Sequence, residues 1–212
     1  MMVILEKNRS SLNLSRRMIL WAFVFFLGMS MNFKVEASTI EQQRREARVQ
    51  ATYLTHLVNF TNWSEEHLPS KGKSPKILVL GQEKNGFVAS LKYLISQSKV
   101  EVGGKPVEFE HLAIQNQKRI KSKLREGCQV VFVMPGSVLG PKEIRKLCPS
   151  AVVFGFGREF VTRKDGDVAF VSERNRVKLV LSDQYFRRTS PKLSSKIANL
   201  KSVVEIVGNP KN

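Results

Sequence analysis

Short apolar runs alternate along the chain with segments whose apolar residues recur every three or four positions. The runs predict strands that are buried on both faces, and the periodic segments predict amphipathic helices. The predicted strands are residues 76–81, 129–133 and 151–155, and the predicted helices are residues 38–63, 87–97, 114–124, 140–148 and 193–207. The alternation indicates one three-layer α/β domain, a mostly parallel sheet with helices on both faces.

Two further pairs of strands are predicted to be antiparallel. Residues 100–102 and 106–111 flank Gly103-Gly104, which is typical of a hairpin turn. Residues 168–171 and 177–181 nearly alternate between apolar and polar positions, with charged residues between them. We expect this second pair to form an antiparallel edge of the sheet.

The first 37 residues have the pattern of a signal peptide. Basic residues precede an apolar run at residues 18–27, which is too short for the roughly 20 residues of a membrane-spanning helix. Val35-Glu36-Ala37 places small residues where a signal peptidase reads, so we expect cleavage after Ala37 and a domain at residues 38–212. Export to the periplasm follows; the alternative is a retained N-terminal anchor.

Composition and charge narrow the classes of partner. The chain has 212 residues, 42% of them hydrophobic, which excludes a disordered or polytopic membrane protein. Its net charge of +17 favours binding to a polyanion, which could be nucleic acid, anionic lipid or an acidic protein. Export removes the chain from genomic DNA and mRNA, so we expect no nucleic-acid partner.

The two cysteines are predicted to be neighbours. Cys128 precedes one buried strand, and Cys148 follows the next helix and precedes the next strand. A right-handed crossover brings both positions to the same edge of the sheet. In an oxidising compartment we expect a disulfide between Cys128 and Cys148, and the alternative is two buried free thiols that pack together.

The sequence contains no recognisable catalytic motif. His56, His67 and His111 lack a local motif, and no nucleophile elbow is present. Asp165-Gly166-Asp167 reads as a turn before a strand. We expect no enzyme activity, no metal site and no cofactor.

The loop after the strand at residues 151–155 is the best candidate rim of a ligand pocket, because α/β proteins bind ligands beyond strand ends. It continues through Gly157 to Arg158 and Phe160. The alternative interpretation is an ordinary surface turn.

The ordered set of segments resembles the YfiR family. The helix that ends in Asn59-Phe60-Thr61-Asn62-Trp63 resembles the family's opening helix, which closes on an aromatic-x-x-Trp pattern. The strand at residues 77–81, the turn at 103–107 and the strand at 127–133 follow in the family's order, and residues 193–200 resemble its terminal helix. The resemblance covers nearly all of residues 45–207.

This resemblance implies a non-catalytic periplasmic regulator that restrains a membrane-bound diguanylate cyclase or sensor kinase through its extracytoplasmic portion. It also implies disulfides, with which Cys128 agrees. Asp165-Gly166 departs from the Gly-Gly that the family usually has. The candidate ligand or partner surface comprises Trp63, Arg158, Phe160, Asp165 and Gly166.

Two other functions stay open at this point. One is a periplasmic small-molecule-binding module, and the other is a secreted hydrolase. An anionic membrane surface and a second copy of the chain are further candidate partners.

Overall fold

The structure is a computed structural model that describes residues 39–208 except Lys84, Ile114, Gln115, Asn175 and Ala198. The predicted signal peptide, residues 1–37, and its cleavage site lie outside the described residues. The chain divides into two compact units, Met1–Gln43 and Arg44–Asn212. Of the first unit, residues 39–43 are described and are helical. The second unit contains the sheet.

Helices and strands alternate along the described residues. The helices are α1 at residues 39–59, α2 at Phe87–Gln97, α3 at Gln117–Arg125, α4 at Pro141–Leu147, α5 at Arg158–Thr162 and α6 at Asp183–Phe186. The strands are β1 at Thr61–Asn62, β2 at Lys76–Leu80, β3 at Glu101–Val102, β4 at Lys105–Pro106, β5 at Glu108–Leu112, β6 at Val130–Val133, β7 at Val152–Phe156, β8 at Val168–Glu173, β9 at Arg176–Ser182, β10 at Lys192–Leu193 and β11 at Val204–Val207. Short 3-10 helices occur at Glu65–His67 and Ser195–Ile197.

Seven strands of the described residues form the main sheet, in the order β5-β2-β6-β7-β8-β9-β11. The strands from β5 to β8 are parallel, β9 is antiparallel to β8, and β11 is parallel to β9. This arrangement confirms the predicted mostly parallel α/β domain.

Alternate residues of each strand face opposite hydrophobic cores. Val130 and Phe132 of β6 lie in the core that also contains apolar residues of α1 and α2, whereas Val131 lies in the core that contains residues of α3, α4 and α5. The other central strands divide in the same way. Since both faces are covered, these strands read as continuous apolar runs rather than as alternating ones.

Polar side chains set where several helices begin. The Asn116 side chain accepts a hydrogen bond from the backbone N–H of Arg119 at the start of α3, at 3.2 Å. Ser182 Oγ accepts from the N–H of Tyr185 at the start of α6, at 2.9 Å. Glu83 Oε1 accepts from the N–H of Phe87 at the start of α2, at 2.8 Å. Each bond satisfies a donor that the helix itself leaves unpaired.

The predicted helix at residues 193–207 is wrong. This segment contains β10, a 3-10 turn and finally β11, which pairs with β9 from Val204↔Leu179 to Val207↔Ser182. The unpaired edge of β9 offered hydrogen-bond partners to a β-branched segment, and this pairing prevailed over the helical spacing of its apolar residues. The antiparallel pair β8-β9 is confirmed, but β11 and not β9 is the edge strand.

Two boundaries also differ from the prediction. The first helix ends at residue 59, and residues 61–62 pair with Leu193 and Lys192 in an antiparallel ribbon. The Gly103-Gly104 hairpin joins only β3 and β4, while β5 leaves the hairpin and pairs in parallel with β2. In both cases a partner distant in sequence determines the structure.

Phe160 of α5 packs between two glycines. A Cβ atom at Gly155 or at Gly166 would overlap its ring, and the side chain is buried in the core on the α3–α5 face. The absence of side chains at these two positions therefore makes the space that Phe160 fills.

We predict that Gly155→Ala destabilises the protein by about 1–3 kcal/mol, because the added methyl group overpacks a filled core. Equilibrium urea unfolding measures this change. Gly208→Ala is the matched control, because nothing lies within 4 Å of a Cβ built there, and it should change stability by less than about 0.5 kcal/mol. In a Phe160→Ala background the cost of Gly155→Ala should shrink; an undiminished cost would show that the ring is not its cause.

Candidate functional site

The two cysteines meet at the edge of the sheet where the parallel strands begin. Cys128 lies two residues before β6, and Cys148 directly follows α4 and lies four residues before β7. The crossover through α4 brings the Sγ atoms to 3.4 Å from one another. The structure thus brings together the two residues that the sequence paired, and the disulfide bond itself stays a prediction.

The environments of the two thiols differ. Cys128 is 1% exposed, and its Sγ donates a hydrogen bond to Cys148 Sγ. Cys148 Sγ lies 3.1 Å from the carbonyl oxygen of Cys128, to which it donates while protonated. Ser150 and Ala151 add hydrogen bonds around Cys148. More hydrogen bonds are therefore directed at Cys148 than at Cys128.

This asymmetry shifts the two pKa values in opposite directions. The hydrogen bond from Cys128 lowers the pKa of the Cys148 thiol to about 6, with backbone and Ser150 contacts acting in the same direction against burial. The same hydrogen bond, together with burial, raises the pKa of Cys128 well above its usual value. Cys148 is therefore the member of the pair that ionises at the lower pH.

A buried amide positions the strand that carries Cys128. Gln129 is 5% exposed; its Oε1 accepts from the N–H of Lys76 at 2.8 Å, and its Nε2 donates to the carbonyl of His67 at 3.1 Å. These bonds connect the start of β6 to the start of β2 and to the 3-10 helix. A cavity of about 600 Å³ adjoins Cys128 at this edge, and its lining includes Lys73, Lys76 and Ser150.

A histidine cluster that sequence reasoning missed lies beside this cavity. His67 Nδ1 is 2.7 Å from Ser64 Oγ and 3.0 Å from Ser190 Oγ, and the two hydroxyl oxygens are 2.5 Å apart. Ser190 is more than 120 positions from the other two residues, so local spacing gave no signal for the cluster. It ties the 3-10 helix at Glu65–His67 to the segment before β10.

Three of the predicted surface residues lie together around α5. Phe160 is a buried core residue, and Gly166 accommodates its ring. Asp165 has a left-handed backbone with φ 62° and its carboxylate lies 3.5 Å from Lys142 Nζ. Of the three, Asp165 therefore offers a charged group near the surface, while the other two determine the packing beneath it.

Of the remaining two predicted residues, Arg158 begins α5 and pairs with a carboxylate of β11, whereas Trp63 lies against the opposite core. The Arg158 guanidinium forms a two-pronged ion pair with Glu205 of β11, and it lies 3.9 Å from Glu173 of β8. Trp63 packs partly buried against the core on the α1–α2 face, and its Nε1 donates to the carbonyl of Val58 at 3.4 Å. Trp63 and Phe160 therefore pack against opposite cores of the sheet.

A second cavity lies beyond the carboxyl ends of β2 and β6. The chain leaves β2 toward β5 on one side and returns to β6 on the other, so the order of strands reverses between β2 and β6. Doubly covered parallel sheets bind ligands at such a reversal. The cavity measures about 660 Å³ and is lined by polar residues after β2 and by apolar and aromatic ones, among them Gln82, Met134 and Phe156.

Within the described residues, no group of three or more His, Cys, Asp or Glu side chains is placed to hold a metal ion. No helix in that part of the chain combines the length and the apolar composition that a bilayer crossing requires.

We predict two well-separated thiolate titrations in the reduced protein, measured anaerobically by absorbance at 240 nm. Cys148 should ionise near pH 6, and Cys128 well above pH 9. Because the folded pKa of Cys148 lies below its unfolded value, its contribution to stability is complete above about pH 9 and is lost as pH falls through 6.

Two variants identify the groups in this titration. Cys148→Ser should remove the step near pH 6, whereas Cys128→Ala should move that step upward, because alanine has no group that can donate a hydrogen bond to the Cys148 sulfur. A reduced protein with no thiolate below pH 8 would contradict the assignment.

Comparison with known proteins agrees with this architecture. A search of the curated proteins finds none that matches the chain. The model of one protein family, described as YfiR/HmsC-like, matches residues 47–201, which is more than half of the chain. The match runs from inside α1 past β10 and includes both cysteines, the histidine cluster and all the parallel strands from β2 to β8. With strands β2 to β9, helices of both covering layers and the thiol pair inside that span, the chain belongs to the YfiR/HmsC-like family, a family of periplasmic regulators.

Proposed function

We propose that this protein is a non-catalytic periplasmic regulator that restrains a membrane-bound diguanylate cyclase or sensor kinase by binding its extracytoplasmic domain. The observation that carries the proposal is the family match over residues 47–201. The signal-peptide pattern at residues 1–37 supports the periplasmic location.

The restraint acts as a shift between two states of the partner. The regulator binds the inactive conformation of the extracytoplasmic domain more tightly than the active one, and the difference in affinity sets how far the equilibrium moves. A hundredfold ratio of active to inactive partner is reversed only by a preference of about 10⁴-fold. A folded domain with hydrophobic cores on both faces of its sheet suits this role, because less binding energy is lost in ordering it than in ordering an unfolded segment.

The basic surface assists capture of the partner. Cleavage after Ala37 removes five basic and two acidic residues from the full chain's +17, so the exported domain has a net charge of +14. This charge attracts acidic protein surfaces and anionic lipid headgroups, and it speeds encounter with them. Surface attraction of this kind falls as salt shortens the Debye length.

The thiol pair supplies a means of release. A Cys128–Cys148 disulfide would close a loop of about 20 residues and stabilise the fold by about 3 kcal/mol in the chain-entropy model. Its reduction frees the carboxyl end of α4 from the start of β6. Because Cys148 carries the lower pKa, it is the better leaving group when an external thiolate attacks Cys128.

We expect the tagged chain, crosslinked in intact cells and purified from solubilised membranes, to recover a cyclase or a kinase with an extracytoplasmic domain. Mass spectrometry identifies the partner. Recovery should fall when capture is repeated with purified components at about 1 M salt, where the Debye length is about 3 Å. A Cys128→Ser/Cys148→Ser variant tests the redox step: its capture should no longer change on adding a reductant.

Recovery of no membrane signalling protein, across crosslinkers and redox states, would contradict the proposed function. If the wild-type protein recovers equal amounts of the partner before and after reduction, the thiol pair has no part in release. That result would not contradict the proposed restraint.

The cavity at the strand-order reversal favours a second candidate function, binding of a small molecule. Its volume of about 660 Å³ is in the range of ligand sites. In a thermal-shift screen of nucleotides and amino acids, a ligand at a hundredfold excess over its Kd should stabilise the fold by about 2.7 kcal/mol. A Gln82→Trp variant, which fills the mouth of this cavity, should lose the shift; a shift unchanged in that variant would place the ligand elsewhere.

A further inference from the structure

A basic cleft lies between α4 and the segment that follows β9. Its volume is about 910 Å³, and five cationic side chains line it together with Asp165, Asp183 and Gln184. The cations are Lys142, Arg145, Lys146, Arg187 and Arg188. Neither the thiol pair nor the cavity at the strand-order reversal shares any of these residues.

A buried carboxylate fixes two of the five cations. Asp167 is 1% exposed, and its Oδ2 accepts from the backbone N–H of Val153 at 2.8 Å. Its Oδ1 is 3.0 Å from an Nη2 atom of both Arg145 and Arg188. Two guanidinium groups therefore converge on a single carboxylate oxygen.

Further contacts hold these guanidinium groups in place. Arg145 Nη2 also donates to the carbonyl of Asp165 at 2.8 Å. The Arg188 guanidinium lies over the ring of Tyr185, 5.7 Å from its centroid, and Tyr185 is buried. Donors fixed in this way lose little side-chain entropy when a ligand binds.

The carboxylates around the cleft do not balance its cations. Lys142 lies 3.5 Å from Asp165, and Arg187 lies 2.7 Å from Asp183, so each of these pairs is internally neutral. Arg145 and Arg188 share the one charge of Asp167, and Lys146 adds another positive charge. Among the described residues the cleft therefore has five cations against three carboxylates.

One donor at the base of this network is unsatisfied. Arg145 Nη1 is buried and has no hydrogen-bond partner among the described residues. A buried unpaired donor is costly, and the described residues leave this donor of Arg145 unused.

We propose that this cleft binds a phosphate group, either as inorganic phosphate or as a phosphomonoester headgroup of a lipid. Planar guanidinium forks match phosphate oxygens in two-pronged fashion, and the neighbouring lysines supply point charges. A dianionic phosphate neutralises the excess positive charge left by the Asp167 network. A carboxylate would supply half that charge and fewer acceptor oxygens.

The test compares two double variants of the full chain that lose the same charge. Lys142→Ala/Lys146→Ala removes exposed cations of the cleft, and Lys118→Ala/Arg125→Ala removes exposed cations of α3 outside it. Alanine maintains the helix in both. Isothermal titration calorimetry with inorganic phosphate, at constant ionic strength and with chloride as the reference anion, measures the affinity. Flotation with vesicles of phosphatidic acid in phosphatidylcholine tests the lipid source against phosphatidylglycerol vesicles of equal charge.

The proposal predicts that the cleft variant loses affinity for its phosphate source by about tenfold, while the α3 variant changes by less than about twofold. Calorimetric binding assigns the site to free phosphate, and binding only to phosphatidic acid vesicles assigns it to the lipid headgroup. Binding to neither source overturns the proposal. Equal losses in the two variants, or equal flotation with phosphatidylglycerol, also overturn it, because they would show general attraction to negative charge.

Discussion

Burial of the sheet on both faces is the constraint on which the rest of this structure depends. Once helices cover both faces, the middle of the sheet has room only for apolar side chains and hydrogen-bonded backbone. Polar chemistry is therefore displaced to the strand ends. The thiol pair lies where β6 and β7 begin, and the cavity at the strand-order reversal lies where β2 and β6 end. The division of sites in this protein follows from its layers.

Asp167 is the exception that shows how strict this constraint is. Its carboxylate is buried beside β7, and it is tolerated because a backbone N–H and two guanidinium groups satisfy it. Those contacts also set the positions of α4 and of the segment after α6. A single buried charge thereby determines the geometry of the basic cleft, and the surrounding cations are arranged around a requirement of the fold.

Much of this architecture could be predicted from the sequence, because continuous apolar runs have few alternatives. The runs at residues 76–81, 129–133 and 151–155 became β2, β6 and β7, and the helix over residues 87–97 became α2. The failures share one cause. At residues 193–207 the apolar spacing suited a helix, yet the open edge of β9 provided backbone partners for Val204–Val207, and spacing within a segment carries no information about such an edge.

The residues of the candidate site likewise include some whose positions could be predicted from the sequence and some whose positions could not. The proximity of Cys128 and Cys148 follows from the handedness of one crossover, so the sequence contains it. The burial of Phe160 depends on two glycines that make room for its ring, and its place after a strand suggested a pocket rim instead. The His67 cluster depends on Ser190, which β10 brings back beside β1. Contacts between residues that are distant in sequence produce no local sequence pattern from which they could be predicted.

Helix α4 connects the two polar regions at this edge of the sheet. It has seven residues; Lys142 and Arg145 of the cleft lie on it, and Cys148 caps its end with an N–H bond to the carbonyl of Ile144 at 2.8 Å. A helix of two turns moves as one body, so a displacement of its carboxyl end also displaces the residues at its other end. By thermodynamic linkage, any change that thiol oxidation makes in the affinity of the cleft for an anion is matched by an equal change that the anion makes in the thiol–disulfide equilibrium. The size of that coupling free energy is set by how differently α4 sits in the two redox states.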